Sequence, residues 1–154
     1  MAEIDKRLQE LGITIPEPAA PVANYVGWVR SGNLVFTSGQ VPLKDGKVQF
    51  QGKVGGEIGV EQAGQAAQLC AVNVISQIKG ALDGNLDRVR RVVKLVVFVN
   101  AAPEFTDHPK VANGASDLMV KVFGDKGKHA RSAVGSGSLP LNVAVEVEGV
   151  FEVE

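Results

Sequence analysis

The run RVVKLVVFVNA, Arg91 to Ala101, limits what this chain can fold into more than any other feature. It is too continuously β-branched and apolar for a strand with one wet face, so it predicts an interior strand covered on both faces. Just upstream, Gly59 to Gly84 places Ala63, Ala66, Ala67, Cys70, Val74, Ile78 and Leu82 at helical spacing, the mark of a long amphipathic helix. Its small alanines would let it lie close on a sheet, with Cys70 in the core and Gly84 as a stop signal. One helix layer covers one sheet face, so something else must cover part of the strand.

The remaining segments supply the rest of a sheet. NYVGWVRSGNLVFTSGQVP has strand formers on both sides of Ser31-Gly32-Asn33, which predicts a hairpin, and Lys44-Asp45-Gly46 marks a second one. From Pro109 to Phe123, the positions Val111, Ala115, Leu118, Met119, Val122 and Phe123 fit a second helix, bounded by Gly124 and the polar Asp125 to Lys128. HARSAVGSGSLP and NVAVEVEGVFEV close the chain as two strands, the latter with Val143, Val145 and Val147 alternating against Ala144, Glu146 and Glu148. The order ββ, α, β, α, ββ predicts a single α+β domain with both helices on one face of the sheet. Valine on the other face would leave an apolar patch too large for a monomer, and self-association is the simplest remedy. Ahead of this domain, residues 1–22 read as a short helix, Glu3 to Leu11, with Ile4, Leu8 and Leu11 on one side, then a Pro-rich lead-in, Pro16 to Pro21. Residues 23–154 form the domain proper.

With 154 residues the chain can bury a core without disulfides or a metal. A net charge of -1 provides no cation excess to release counterions from a phosphate backbone, so nucleic acid is not an expected partner. The single cysteine and the charged start, without an apolar signal core, point to a reducing cytoplasm, and no window is apolar for long enough to span a membrane.

Four places could carry chemistry. Arg131, in KHARSAV, sits among small residues that leave its planar fork open to a carboxylate, although a surface ion pair is the commoner reason for an isolated arginine. Glu146 and Glu148 share one strand face, where either could orient a water or simply face solvent. Ser38-Gly39-Gln40 follows a strand, and its glycine would let backbone N–H groups approach an anion. Tyr25, the only tyrosine, could cap a pocket or sit in the core. His108 and His129 lack metal-site spacing and read as structural or solvated, and no P-loop, GxGxxG, GxSxG or HExxH motif occurs.

NYVGWVRSGNLVFTSGQVP, LDRVRRVVKLVVFVNA and HARSAVGSGSLPLNVAVEVE together resemble the successive signatures of the RidA/YjgF family, from Ala23 to Val153. Arg131, Leu139-Pro140 and Glu146 have the spacing of its final signature. The resemblance implies a chorismate-mutase-like fold with a mixed sheet and a homotrimer whose ligand clefts lie between subunits. It carries site positions onto Tyr25, Ser38 and Gly39 of the S-G-Q segment, Asn113, Arg131 and Glu146. It also implies hydrolytic deamination of 2-iminopropanoate or 2-iminobutanoate, reactive products of PLP-dependent enzymes, to a 2-oxo acid and ammonia, with no metal or organic cofactor. Arg131 would hold the carboxylate and Glu146 would orient water. The chain departs from the pattern at Ala133, often cysteine in the family, whose backbone would still line the pocket, and in a longer TDHPKVANGASD segment and the added N-terminal helix. A module that binds or senses small 2-oxo acids without catalysis, and an endoribonuclease or translation inhibitor, are the competing expectations.

Overall fold

The computed structural model describes residues 2–21 and 23–154; Val22, the last residue of the predicted lead-in, lies outside the described residues, as does Met1. The apolar run forms β5 (Val89–Asn100), and the period-two segment at the C-terminus forms β7 (Val145–Val153). They pair antiparallel along most of their length. The sheet grows from this pair: β2 (Leu34–Thr37) adds to β7, β1 (Trp28–Ser31) turns back on β2 through Gly32-Asn33, and β6 (Ala130–Ser136) adds to β5 in parallel. The order is β1-β2-β7-β5-β6, a mixed sheet. The second hairpin, β3 (Leu43–Lys44) and β4 (Lys47–Val48), stands apart as its own two-stranded unit. Positive φ at both Asp45 and Gly46 is the backbone of a tight two-residue turn.

Three helices complete the chain, the two expected in the α+β domain and the one expected ahead of it. α2 (Val60–Ala81) and α3 (His108–Phe123) lie on one sheet face and pack on each other and on β5, β6 and β7. The alanine stripe works as the spacing predicts: Ala63, Ala66, Ala67 and Cys70 are fully buried, and the Cys70 thiol donates to the Val145 carbonyl at 3.4 Å. Burial pushes its pKa up, which makes it an inert core residue. The N-terminal helix α1 (Glu3–Leu11) buries Ile4 and Leu8 against the same core, while Leu11 stays 40% exposed rather than joining that stripe. Its first N–H groups, on Glu3 and Ile4, are capped by the Asp87 carboxylate. After α1 the Pro-rich segment runs extended beside α2, held by Ser76 Oγ on the Pro16 carbonyl and Gln77 Nε2 on the Ala19 carbonyl.

The side chains of β7 show the division of the sheet. Val145, Val147, Phe151 and Val153 are buried under the helices, whereas Glu146, Glu148, Val150 and Glu152 on the other face are only partly covered. β5 is interior in the hydrogen-bonding direction but covered on one face alone: Leu95, Val97 and Val99 are buried, and Val96 and Phe98 are half-exposed. The expectation that this run is covered on both faces therefore fails within one chain, because α2 and α3 both lie on the same face of the sheet. On the open face Val29, Phe36 and Val134 remain 53%, 43% and 43% exposed.

Candidate functional site

Two groups of side chains, on different faces of the sheet, occupy the positions singled out from the sequence. The first is built around a β-bulge. β2 pairs with β7 at Phe36↔Val150 and again where Gln40 and Val147 exchange both backbone hydrogen bonds. Four residue steps on one strand thus span three on the other, and Ser38-Gly39 carry the excess. The N–H groups of Ser38 and Gln40 are taken by the carbonyls of Gly27 and Val147, while that of Gly39 meets no acceptor among the described residues. The bulge lays Gly39 against Glu146 on the open face: a Cβ at Gly39 would come within 2.4 Å of Glu146 Oε2, so any side chain there would displace the Glu146 carboxylate. Ser38 Oγ donates to the Val26 carbonyl and fixes the segment bearing Tyr25. Tyr25 is 58% exposed, so its ring is not part of the core.

Glu146 is a half-buried carboxylate with no donor within reach among the described residues. Burial, with the like charge of Glu148 two residues on, raises its pKa. Folding therefore holds the Glu146 proton more tightly than the unfolded chain does. Stability falls as pH rises from the ordinary carboxylate value through the raised one, and below both values the group makes no difference. Glu146→Gln, which removes the charge at nearly constant shape, is accordingly expected to raise the melting temperature at pH 7, with the gain vanishing by about pH 4. Equal melting temperatures at pH 7 would show that the carboxylate is solvated in the folded protein.

The second group lies at the opposite side of the sheet. β6 is an edge strand, and its pairing Arg131↔Leu95 puts Arg131 on the helix-covered face with buried Leu95. There α3 presents Asn113 and Ser116, one turn apart. Arg131 Nη1 donates to Asn113 Oδ1 at 2.8 Å and to Ser116 Oγ at 3.1 Å. The ion pairs found among the described residues are Arg7–Glu3, Lys110–Asp107 and Lys128–Asp125, so the surface-ion-pair reading of Arg131 fails. Its positive charge is met by neutral acceptors at one nitrogen, and its other guanidinium nitrogens meet no acceptor among the described residues. Ala133, two residues on, shares that face and packs against the core edge.

The two groups do not meet within one chain. The point on β7 level with Arg131 is Gly149, reached through Leu95, and Glu146 lies three residues further along. Two strand spacings and three residue rises give a backbone separation of about 14 Å, with the side chains on opposite faces. The structure thus joins Tyr25, Ser38, Gly39 and Glu146 in one region and Asn113, Arg131 and Ala133 in another.

The profile described as "YjgF/chorismate_mutase-like, putative endoribonuclease" matches residues 5–152 of this chain. The chain belongs to the RidA/YjgF family. Among its RidA/YjgF relatives, Protein TCP17 of Trypanosoma cruzi is 51% identical over 146 residues, covering 94% of this chain and 91% of its own. A Dermatophagoides farinae protein named 2-iminobutanoate/2-iminopropanoate deaminase is 30% identical, covering 92% and 95%. The crystal structure of Atu1372, of unknown function, from Agrobacterium tumefaciens has a TM-score of 0.92 at 48% identity and covers 98% and 92%. These RidA/YjgF comparisons agree with the sheet and helix layers described above. No helix among the described residues is long and apolar enough to cross a membrane.

Two polar residues beside Arg131 are absent from the sequence-based candidates: Ser116 and His129, whose Nε2 lies 2.9 Å from Ser116 Oγ. Of the two expectations for His129, structural or solvated, the structural one holds: both ring nitrogens have partners. The available signals were the spacings Asn113/Ser116, i and i+3 on a helix, and His129/Arg131, i and i+2 in an extended segment.

Proposed function

We propose that this RidA/YjgF protein hydrolyses small 2-imino acids, of the 2-iminopropanoate and 2-iminobutanoate kind, to 2-oxo acids and ammonia, in a cleft that forms between copies of a homotrimer. The observation that carries the reading is the Arg131 guanidinium, tethered at one nitrogen by neutral acceptors and otherwise free for a carboxylate. A charge-assisted pair there contributes about 1.5–3 kcal/mol and fixes the acid's orientation. A four-carbon acid is far shorter than the distance from Arg131 to Glu146 in one chain, so the Glu146 that serves it belongs to a neighbouring copy. The open apolar face with Val29, Phe36 and Val134 is what such an assembly would cover. The relative named as an imine deaminase supports the same substrate class.

In the reaction, Glu146 accepts a proton from water as the water oxygen bonds to the imine carbon, and the imine nitrogen takes up a proton. In the resulting carbinolamine Glu146 takes the hydroxyl proton as the C=O bond forms, and the C–N bond breaks as nitrogen receives that proton, leaving ammonia and the 2-oxo acid. Its raised pKa brings Glu146 nearer to working pH, where one carboxyl can both take and return a proton. The Gly39 N–H beside it is a free donor for a polar atom of the substrate. This chemistry needs positioning and modest proton transfer rather than an activated nucleophile, in line with alanine at position 133. In this reading RNA is not a substrate, since the net charge of -1 offers no cation excess for a phosphate backbone.

An amino-acid oxidase coupled to semicarbazide trapping of free imine tests the proposal. Wild type is expected to divert imine from the trap, and Arg131→Ala, folded and of equal sedimentation mass, is expected to divert none. Should wild type leave the semicarbazone yield unchanged, the deaminase reading is lost and carboxylate binding without catalysis takes its place.

A further inference from the structure

We infer that Ser116 and His129 are positioning residues of the carboxylate site, holding the Arg131 guanidinium through a one-way chain of hydrogen bonds. The inference rests on the reading that Arg131 receives a ligand carboxylate, and it concerns two residues that reach the ligand only through Arg131.

The direction of every bond in the chain follows from its first member. The Gly127 carbonyl can only accept, and it lies 2.6 Å from His129 Nδ1, so that nitrogen carries the proton. In the neutral imidazole Nε2 then holds a lone pair, 2.9 Å from Ser116 Oγ, and the hydroxyl proton points to it. With its proton committed, Ser116 Oγ presents a lone pair to Arg131 Nη1 at 3.1 Å. Asn113 Oδ1 accepts from the same nitrogen at 2.8 Å. Arg131 is thus anchored at Nη1 alone, and the other end of its fork is held toward an incoming acid.

The far end of the chain is rigid. Gly127 is buried in the short turn Gly124–Gly127, and a Cβ there would come within 2.2 Å of the Met119 carbonyl. The turn therefore lies directly on the backbone of α3, the helix that carries Ser116. His129, just ahead of β6, and Arg131, its second residue, both reach Ser116 Oγ. Helix, turn and strand are locked together around one guanidinium. Without the imidazole, the Ser116 hydroxyl is free to rotate and to bond the carbonyl four residues back along its own helix, which competes with its hold on Arg131.

Titration calorimetry with 2-oxobutanoate, alongside thermal melting, tests this on wild type, Arg131→Ala, Ser116→Ala, His129→Ala and His129→Gln. The expected pattern is loss of measurable binding in Arg131→Ala. Ser116→Ala and His129→Ala should each weaken binding about tenfold, the loss of one good hydrogen bond's worth of orientation, with melting temperatures near that of wild type. His129→Gln, whose side-chain oxygen can take the Ser116 proton, should return affinity to within about twofold of wild type. Wild-type affinity in Ser116→Ala and His129→Ala, with Arg131→Ala defective, overturns the positioning role and leaves the carboxylate reading intact. Failure of His129→Gln to recover what His129→Ala loses also overturns it. Equal binding by wild type and Arg131→Ala, or none by wild type, removes the carboxylate reading and this inference with it.

Discussion

Co-assembling Arg131→Ala chains with Glu146→Gln chains is expected to restore about a quarter of wild-type imine hydrolysis, although neither variant is active alone. The expectation follows from the division of the site. Arg131 lies on the helix-covered face of the edge strand β6, and Glu146 lies on the open face of β7 beside Gly39, with β5 between the two strands. If each cleft takes its arginine from one copy and its glutamate from the next, a mixed ring of three chains contains one cleft with both. Random mixing makes about three rings in four mixed, each with one intact cleft of three, hence the quarter. The two variants, differently tagged and produced together in equal amount, are assayed unfractionated by semicarbazide competition, and a portion carried through both tags shows that mixed rings have formed. No recovery in rings shown to contain both chains would mean that arginine and glutamate act from the same copy, and the intersubunit cleft would be abandoned.

Gly114→Ala is expected to lower stability by about 3 kcal/mol, or about 10 °C in melting temperature for a chain of this size. Gly114 lies on α3 between Asn113 and Ser116, at the crossing with α2. A Cβ there would stand 2.0 Å from the Gly64 carbonyl oxygen and 2.8 Å from its carbon. Both are backbone atoms, so no rotamer change relieves the overlap and the helices must separate. Alanine's better helix propensity returns only about 1 kcal/mol, less than the cost of parting a packed interface. Gly64→Ala is the control. A Cβ at Gly64 meets nothing within 4 Å, so that substitution is expected to be neutral or to stabilise by about 0.5–1 kcal/mol. A melting temperature for Gly114→Ala at or above wild type would show that α2 and α3 do not cross this closely.

Much of the fold is legible in the sequence because it depends on local chemistry. Period-two valines define β7, the alanine stripe defines α2 over Val60–Ala81, and the turn residues Gly32-Asn33 and Asp45-Gly46 place both hairpins. The excess of apolar faces over helices to cover them is legible as well, and Val29 and Phe36 are exposed on the face it concerns. The chemical character of the site follows from residue type: an arginine among small neighbours, and a glutamate on a strand of valines. Spatial relations between distant segments are a different matter. Asn113 and Arg131 are 18 residues apart, and only the packing of α3 over the edge of the sheet brings Arg131 onto neutral acceptors instead of a carboxylate. His129 reads as a loop residue because its partners, the Gly127 carbonyl and the Ser116 hydroxyl, become neighbours only when the Gly124–Gly127 turn folds back on α3. Alternation along a strand tells which residues share a face, but not which face the helices take, and that choice sets Arg131 and Glu146 on opposite sides. Local periodicity is a property of consecutive residues, whereas hydrogen-bond partners and the covered face are properties of how the layers pack. The sequence alone therefore determined the elements and the kinds of group in the site, and the tertiary structure decided which of those groups meet.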